Sequence, residues 1–245
     1  MSLSRIYINA DLSINSSLQL PDTTSHYVKN VLRLKTDQSI ILFNGKDSAE
    51  YTARLEIQGK QTLAFPVSQS STQLESPLQT TLLQAIGKSE HIDLVVQKST
   101  ELVVSQIILF NSQRTQIHLK ASRLEKKLAH WHKIMISACE QCGRNTLPGL
   151  GFKSNLHSCL ESLTPSNKIL LNFDGESIRT LTNEFNQGLP FSMLVGPEGG
   201  LTVEEIQQAT KADFKSCSLG PRILRMETAA MSILNLVQHH FGDMP

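Results

Sequence analysis

Aromatic residues are scarce in this chain. One Trp, three Tyr and nine Phe make up 5% of 245 residues, while 40% are hydrophobic, so aliphatic side chains must fill most of any core. An excess of charge of one sign is missing as well. The 23 Lys and Arg nearly balance 22 Asp and Glu, and the net charge is +1. No overall basic field draws in nucleic acid, and any such contact has to come from local patches. Cysteine is limited to Cys139, Cys142, Cys159 and Cys217, which form no disulfide-scaffold pattern in a chain of this length. No run reaches the roughly 18 apolar residues of a membrane span, and the N-terminus has no apolar signal core. These absences point to a soluble protein in a reducing, cytoplasmic setting, with no membrane partner.

Several familiar motifs are absent on inspection. Gly87-Lys88-Ser89 resembles the end of a phosphate-binding loop, but that loop needs a glycine where this chain has Leu82. Gly149-Leu150-Gly151 lacks the third glycine of a dinucleotide fingerprint, since Ser154 stands there. Cys139 and Cys142 have metal-like spacing, but a structural zinc site needs four ligands and no second pair lies near. His130, His132, His239 and His240 read as helix-face residues. No metal is expected.

What is present divides into two patterns. Arg5–Ile8 reads as a first strand, Thr23–Leu34 as a short helix, and Ser39–Phe43 as a strand ending in the turn signal Asn44-Gly45. Glu50–Ile57 and Gln61–Val67 alternate around Gly59-Lys60. Ser68–Pro77 is polar, with four serines and a proline, and reads as a linker. Beyond it, strands at Leu78–Ile86, Gln106–Phe110, near Gly151, Ile169–Phe173, Phe191–Val195 and Phe214–Leu219 alternate with helices. Those helices are expected over Glu90–Val103, Ser122–Cys142, Leu156–Leu163, Ile178–Phe185, from Thr202, and over Met226–Phe241. Thr202 and Glu205 have capping-box spacing. Alternation of this kind means a mostly parallel α/β sheet. The expected division is 1–72, a small β unit, and 73–245, the α/β domain.

The α/β half is organised around two loops. Leu194-Val195-Gly196-Pro197-Glu198-Gly199-Gly200-Leu201 and Leu219-Gly220-Pro221-Arg222-Ile223-Leu224-Arg225-Met226-Glu227-Thr228-Ala229 each end an apolar run at a Gly-Pro step and open into a helix. Proline stops the chain from entering a helix at once, and glycine lets main chain approach a ligand closely. Such loops at strand ends make a pocket lined by backbone, suited to a small molecule with a flat ring and many hydrogen-bonding groups.

Together the two loops resemble the SPOUT class of RNA methyltransferases, in particular the family that methylates ring nitrogen 3 of a uridine in bacterial 16S ribosomal RNA. The resemblance covers almost the whole chain. It implies a PUA-like β-barrel at residues 1–72 that helps hold RNA, and a trefoil-knotted, parallel-sheet methyltransferase domain at 73–245. It implies S-adenosylmethionine as cofactor, held by Asn172, Leu194, Gly196, Glu198, Gly199, Gly200, Leu219, Gly220, Ile223, Leu224, Arg225, Glu227 and Thr228. Arg225 is expected to stabilise the uracil anion, and Glu198 or Glu227 to act as base or to orient that arginine; the sequence leaves this choice open. The target nitrogen lies on the pairing edge, so the base must be unpaired or flipped out.

The expected RNA contacts are Arg5 and Arg33 in the first unit and Lys98, Arg114 and Arg144 in the second. Lys98-Ser99-Thr100-Glu101-Leu102 and Glu140-Gln141-Cys142-Gly143-Arg144 match family motifs. Val103 stands where the family usually has glycine, and Met226 where it commonly has threonine. Lys120, Arg123, Lys126, Lys127 and Lys133 crowd the long helix, as a solvated face or as further RNA contacts. The expected partners are 16S ribosomal RNA in the small subunit and a second copy of this chain, the homodimer resting on the resemblance. Ribose 2′-O-methylation and RNA binding without catalysis are the rival readings.

Overall fold

The computed structural model describes residues 3–71, 73–115 and 118–245. The chain forms two compact units, one of residues up to Glu75 together with Cys139–Leu147, the other of Ser76–Ala138 and Pro148–Pro245. The first contains β1 (Arg5–Tyr7), β2 (Leu18–Gln19), α1 (Asp22–His26) running into a wide π turn (Tyr27–Val31), β3 (Ser39–Phe43), β4 (Ala49–Gln58) and β5 (Gln61–Ser71). They make a curled mixed sheet, a PUA-like half-barrel with hydrogen-bonded order β1-β3-β4-β5-β2. Inward residues alternate along the strands, so Ile40 and Leu42, then Tyr51, Ala53 and Leu55, reach one core with Val28.

Two features of this unit differ from the sequence expectation. The serines read as linker extend β5: Ser68, Ser70 and Ser71 pair with Thr52, Glu50 and Ala49, beyond a bulge between Thr52 and Ala53. Edge pairing through main chain needs no apolar side chain, so composition hid the strand. Residues 139–147 also belong here. Glu140 accepts the Tyr7 N–H at 3.0 Å, Asn145 donates to the Ser48 carbonyl at 2.9 Å, and Leu147 N–H donates to the Gly45 carbonyl at 3.0 Å.

The second unit contains β6 (Thr80–Ala85), α2 (Ser89–Glu101), β7 (Gln106–Phe110), α3 (Ala121–Cys142, whose last turn falls in the first unit), β8 (Gly149–Lys153), α4 (Leu156–Leu160), β9 (Asn167–Ser177), α5 (Ile178–Leu181), β10 (Phe191–Val195), α6 (Val203–Lys211), β11 (Lys215–Ser218) and α7 (Met226–Phe241). The sheet is parallel, in the order β11-β9-β10-β6-β7-β8. Consecutive residues on its strands serve opposite faces. Leu82, Ile107, Ile169 and Met193 pack with α2, α3 and α7, while Leu83, Ile108, Leu170 and Leu194 pack with α4 and α6. The apolar face of α7, Ala230, Ile233, Leu234 and Val237, is spent in this core.

Strand order decides where loops meet. β10 lies between β9 and β6, so the loop after it sits between theirs, at the carboxyl ends of parallel strands where α/β sheets bind ligands. Near the far end of α2, Val103 takes a left-handed φ of 58°. A branched residue there costs on the order of 1–2 kcal/mol, which fits the glycine that the resemblance implies at this position.

Candidate active site

Strand ends converge on a cleft of about 720 Å³ lined by Lys88, His91, Arg114, Leu171, Asn172, Phe173, Gly196, Pro197, Glu198, Gly200, Ile223, Leu224, Arg225, Met226 and Glu227, among others. A narrower recess of about 150 Å³ shares Leu171, Asn172, Phe173, Ile223 and Leu224 with it and adds Leu219, Gly220 and Arg222. Both Gly-Pro loops therefore face one space. Gly200 (φ +69°) and Gly220 (φ +110°) are left-handed, and a β-carbon at either meets no protein atom within 4 Å. Backbone twist, not crowding, demands glycine there. At Gly196 a β-carbon would stand 3.1 Å from Leu201, so that loop is closely folded.

The capping box of α6 is formed as expected, and it does more than cap. Glu205, buried, accepts from Thr202 N–H, from Ser112 Oγ and from Gln113 N–H, each at 3.0 Å. The loop after β7 is thus tied to the loop after β10. Arg114, next in chain, donates to the Gly199 carbonyl at 3.2 Å. Gly199 faces this arginine, with its β-carbon direction 3.6 Å from Arg114 Cβ. Leu194 is fully buried inside β10, and Thr228 is exposed on α7. Leu194, Gly199 and Thr228 do not line the cleft; the other residues expected at the cofactor do.

Three ionisable groups meet at one wall. Glu198 Oε1 accepts the Lys88 N–H at 3.1 Å and lies 3.0 Å from His91 Nδ1. Glu227 Oε2 lies 3.8 Å from the same nitrogen and, though buried, has no hydrogen-bond partner among the described residues. Burial pushes the Glu198 carboxyl up, but the Lys88 and Glu198 N–H donors and His91 outweigh it and hold the group below the ordinary carboxylate range. Close approach depends on Gly87, where a β-carbon would stand 2.9 Å from both Glu198 oxygens and 2.8 Å from the Met226 methyl. Met226 therefore acts by packing where a threonine would offer a hydroxyl. Arg225 is exposed at the N-cap of α7, and its side chain makes no ion pair among the described residues.

Gly87, Lys88 and His91 were not expected here. Their signal in the sequence is a glycine at the end of a parallel strand followed by a helix start, a pattern that does not by itself name a ligand. The expected RNA contacts scatter. Arg5 is held by Glu50 at 2.6 Å and by Asn145, over the Phe43 ring. Arg144 is buried and bidentate to Glu75, at 2.9 and 2.6 Å. Both guanidinium groups are thus engaged by carboxylates of the first unit, Arg144 fully buried and Arg5 half-buried. Lys98 pairs with Glu101 at 2.8 Å, while Arg33 and Arg114 are exposed. A separate groove on the second unit is basic, lined by Arg123, Lys126, Lys127 and Lys133 with Ser89, Asp93 and His130. Among the described residues no cluster of His, Cys, Asp and Glu is placed to hold a metal, and no helix is long and apolar enough to cross a membrane.

A parallel-sheet domain with this cleft, joined to a PUA-like unit, defines a class. Residues 74–238 match the RNA methyltransferase domain family, and residues 20–65 the RNA methyltransferase PUA domain. Among curated relatives, ribosomal RNA small subunit methyltransferase E of Buchnera aphidicola (subspecies Schizaphis graminum) is 34% identical over 98% of this chain and 97% of its own length. That of Bacillus subtilis is 27% identical, over 87% and 86%. Ribosomal RNA small subunit methyltransferase E from Neisseria gonorrhoeae, solved with S-adenosylmethionine, superposes with a TM-score of 0.90 at 34% identity, covering 100% of both chains. A Legionella pneumophila methyltransferase with the same bound cofactor gives 0.93, also at 34% and over 100% of both. The chain belongs to the ribosomal RNA small subunit methyltransferase E family.

Proposed function

We propose that this protein transfers a methyl group from S-adenosylmethionine to ring nitrogen 3 of a uridine in 16S ribosomal RNA of the small subunit. The observation that carries this is the cleft built from both Gly-Pro loops, in a chain that aligns end to end with relatives solved with that cofactor. The residues present fit the cofactor. Glu198 and Glu227 put negative charge on the wall of a cleft that would take a cation, Leu171, Ile223 and Leu224 offer apolar walls for a flat ring, and glycine backbone leaves room. When bound, the cofactor supplies an electrophilic methyl on a sulfonium, so the protein's tasks are alignment and proton removal.

In this proposal the main chain at Gly196, Gly200, Leu219 and Gly220, with Ile223, Leu224 and Asn172, holds the cofactor. Leu194, Gly199 and Thr228 shape the loops behind it. Arg225, exposed at the cleft and unpaired among the described residues, donates to the uracil oxygens as negative charge develops. Arg114 and Arg33 remain the exposed RNA contacts, joined by the basic groove beside α3; Ser89 in that groove directly follows Lys88 of the cleft. A knotted path and a homodimer belong to the same proposal. Phe173 and Ile223, 57% and 89% exposed at the cleft, are apolar surface for a ligand or a second copy to cover. The substrate places the protein in the cytoplasm.

The test is transfer of labelled methyl to small subunits lacking the modification, followed by digestion and mass spectrometry. N3-methyluridine is expected. A methyl on ribose would place the protein with 2′-O-methyltransferases, and cofactor binding without transfer would make it an RNA-binding protein that has lost catalysis.

A further inference from the structure

Resting on the methyl-transfer reading, the geometry points to His91 as the group that takes the imide proton of the target base, with Glu198 and Glu227 as the carboxylates that orient it and balance its charge. The tautomer follows from the contacts. Nδ1 lies 3.0 Å from Glu198 Oε1, and an ionised carboxylate only accepts, so in the neutral ring Nδ1 carries the hydrogen and Nε2 keeps its lone pair. Nε2 has no partner among the described residues, and the side chain, 21% exposed, lines the cleft. Glu198 is the weaker candidate for base, because its Oε1 already takes the Lys88 N–H and the His91 ring.

The protonated ring would stand between two carboxylates, Glu198 at 3.0 Å and Glu227 at 3.8 Å. This is the logic of carboxylate–histidine pairs in acyl transfer, where the carboxylate fixes the tautomer and stabilises the imidazolium that forms. It also gives the unpaired buried oxygen of Glu227 a use. Lys88, Arg114 and Arg225 line the same cleft and favour release of the proton to solvent afterwards. In the step, the N3–H bond breaks and its proton goes to Nε2. The pair left on N3 forms the bond to the methyl carbon, the carbon–sulfur bond breaks with its pair staying on sulfur, and the imidazolium then yields its proton to water.

The first test needs no turnover. Nitrogen-15 NMR of the free protein with its histidines neutral is expected to show the Nδ1–H tautomer of His91; the Nε2–H tautomer would overturn the assignment. The second is single-turnover methylation of small subunits by His91→Gln and His91→Ala. Rates should fall about a hundredfold, the scale of a lost general base, with cofactor affinity little changed. The wild-type rate should level off as the imidazole becomes neutral, the levelling should vanish in both variants, and added imidazole should partly restore His91→Ala. Variants that form N3-methyluridine at the wild-type rate with the wild-type pH profile would refute the role of His91 alone. Wild-type protein that forms no N3-methyluridine would refute the reaction and this role with it.

Discussion

Replacing Gly87 by alanine adds one methyl group at the point where three distant parts of the chain meet. The added carbon would stand 2.9 Å from both Glu198 oxygens and 2.8 Å from the Met226 methyl, where ordinary contact begins at 3.4 Å. Met226 presents the end of a flexible side chain and can yield. The carboxylate has to retreat by about 0.5 Å, which strains or breaks its bonds to Lys88 N–H at 3.1 Å and to His91 at 3.0 Å. Charge-assisted hydrogen bonds of this kind contribute about 1.5–3 kcal/mol each when buried. Glu198 is 30% exposed and can turn to water, so the loss in stability should fall below that range, at about 1 kcal/mol. The alanine also removes some freedom from the unfolded chain, which offsets part of that. The melting temperature should therefore move by no more than about 4 °C. Turnover should suffer far more, because His91 loses its orienting partner. A fall of about ten- to a hundredfold in single-turnover rate is expected, with S-adenosylmethionine affinity within a few-fold by calorimetry. An alanine variant with the wild-type rate would refute the claim that Glu198 must sit against this glycine.

Arg225→Ala should keep cofactor affinity within a few-fold and lower the single-turnover rate by about a hundredfold, with Arg225→Lys restoring little because the planar fork is lost; weakened binding with an unchanged saturating rate would assign Arg225 to the cofactor. Val103→Gly should leave activity intact and raise stability slightly, by up to about 1 kcal/mol, since relief of the left-handed strain exceeds the entropy that glycine adds; a loss in denaturant unfolding would contradict the strain. Glu140 lies at the first unit's core edge, where burial raises its pKa above 4.5 despite the Tyr7 N–H and Arg5. A raised folded pKa favours the protonated form, so this stability is whole below the unfolded value of 4.5 and is lost as pH rises through the folded one. Glu140→Gln, whose amide oxygen still accepts from Tyr7, should stabilise the protein at pH 7 and have little effect below pH 4.5; equal effects at both would refute the shift.

The sequence by itself determined the local elements of the second unit and the two loops that open the cleft. Its strands and helices carry their own periodicity: β7, β10 and α7 fall at the expected residues, and the Thr202–Glu205 capping box is complete within four positions. Glycine and proline steps likewise act on their own backbone, so the walls of the pocket were legible. Pairing across the chain was not. His91 and Glu198 are 107 residues apart, and Arg144 and Glu75 are 69 apart. No spacing rule links such positions. Only the order of β9, β10 and β6 in the sheet brings the first pair to one wall, and only the fold of the first unit buries Arg144 against Glu75. A charged residue in sequence is equally a phosphate contact or half of a buried ion pair. What separates the two is burial and the partner across the fold, and both are properties of the tertiary structure alone.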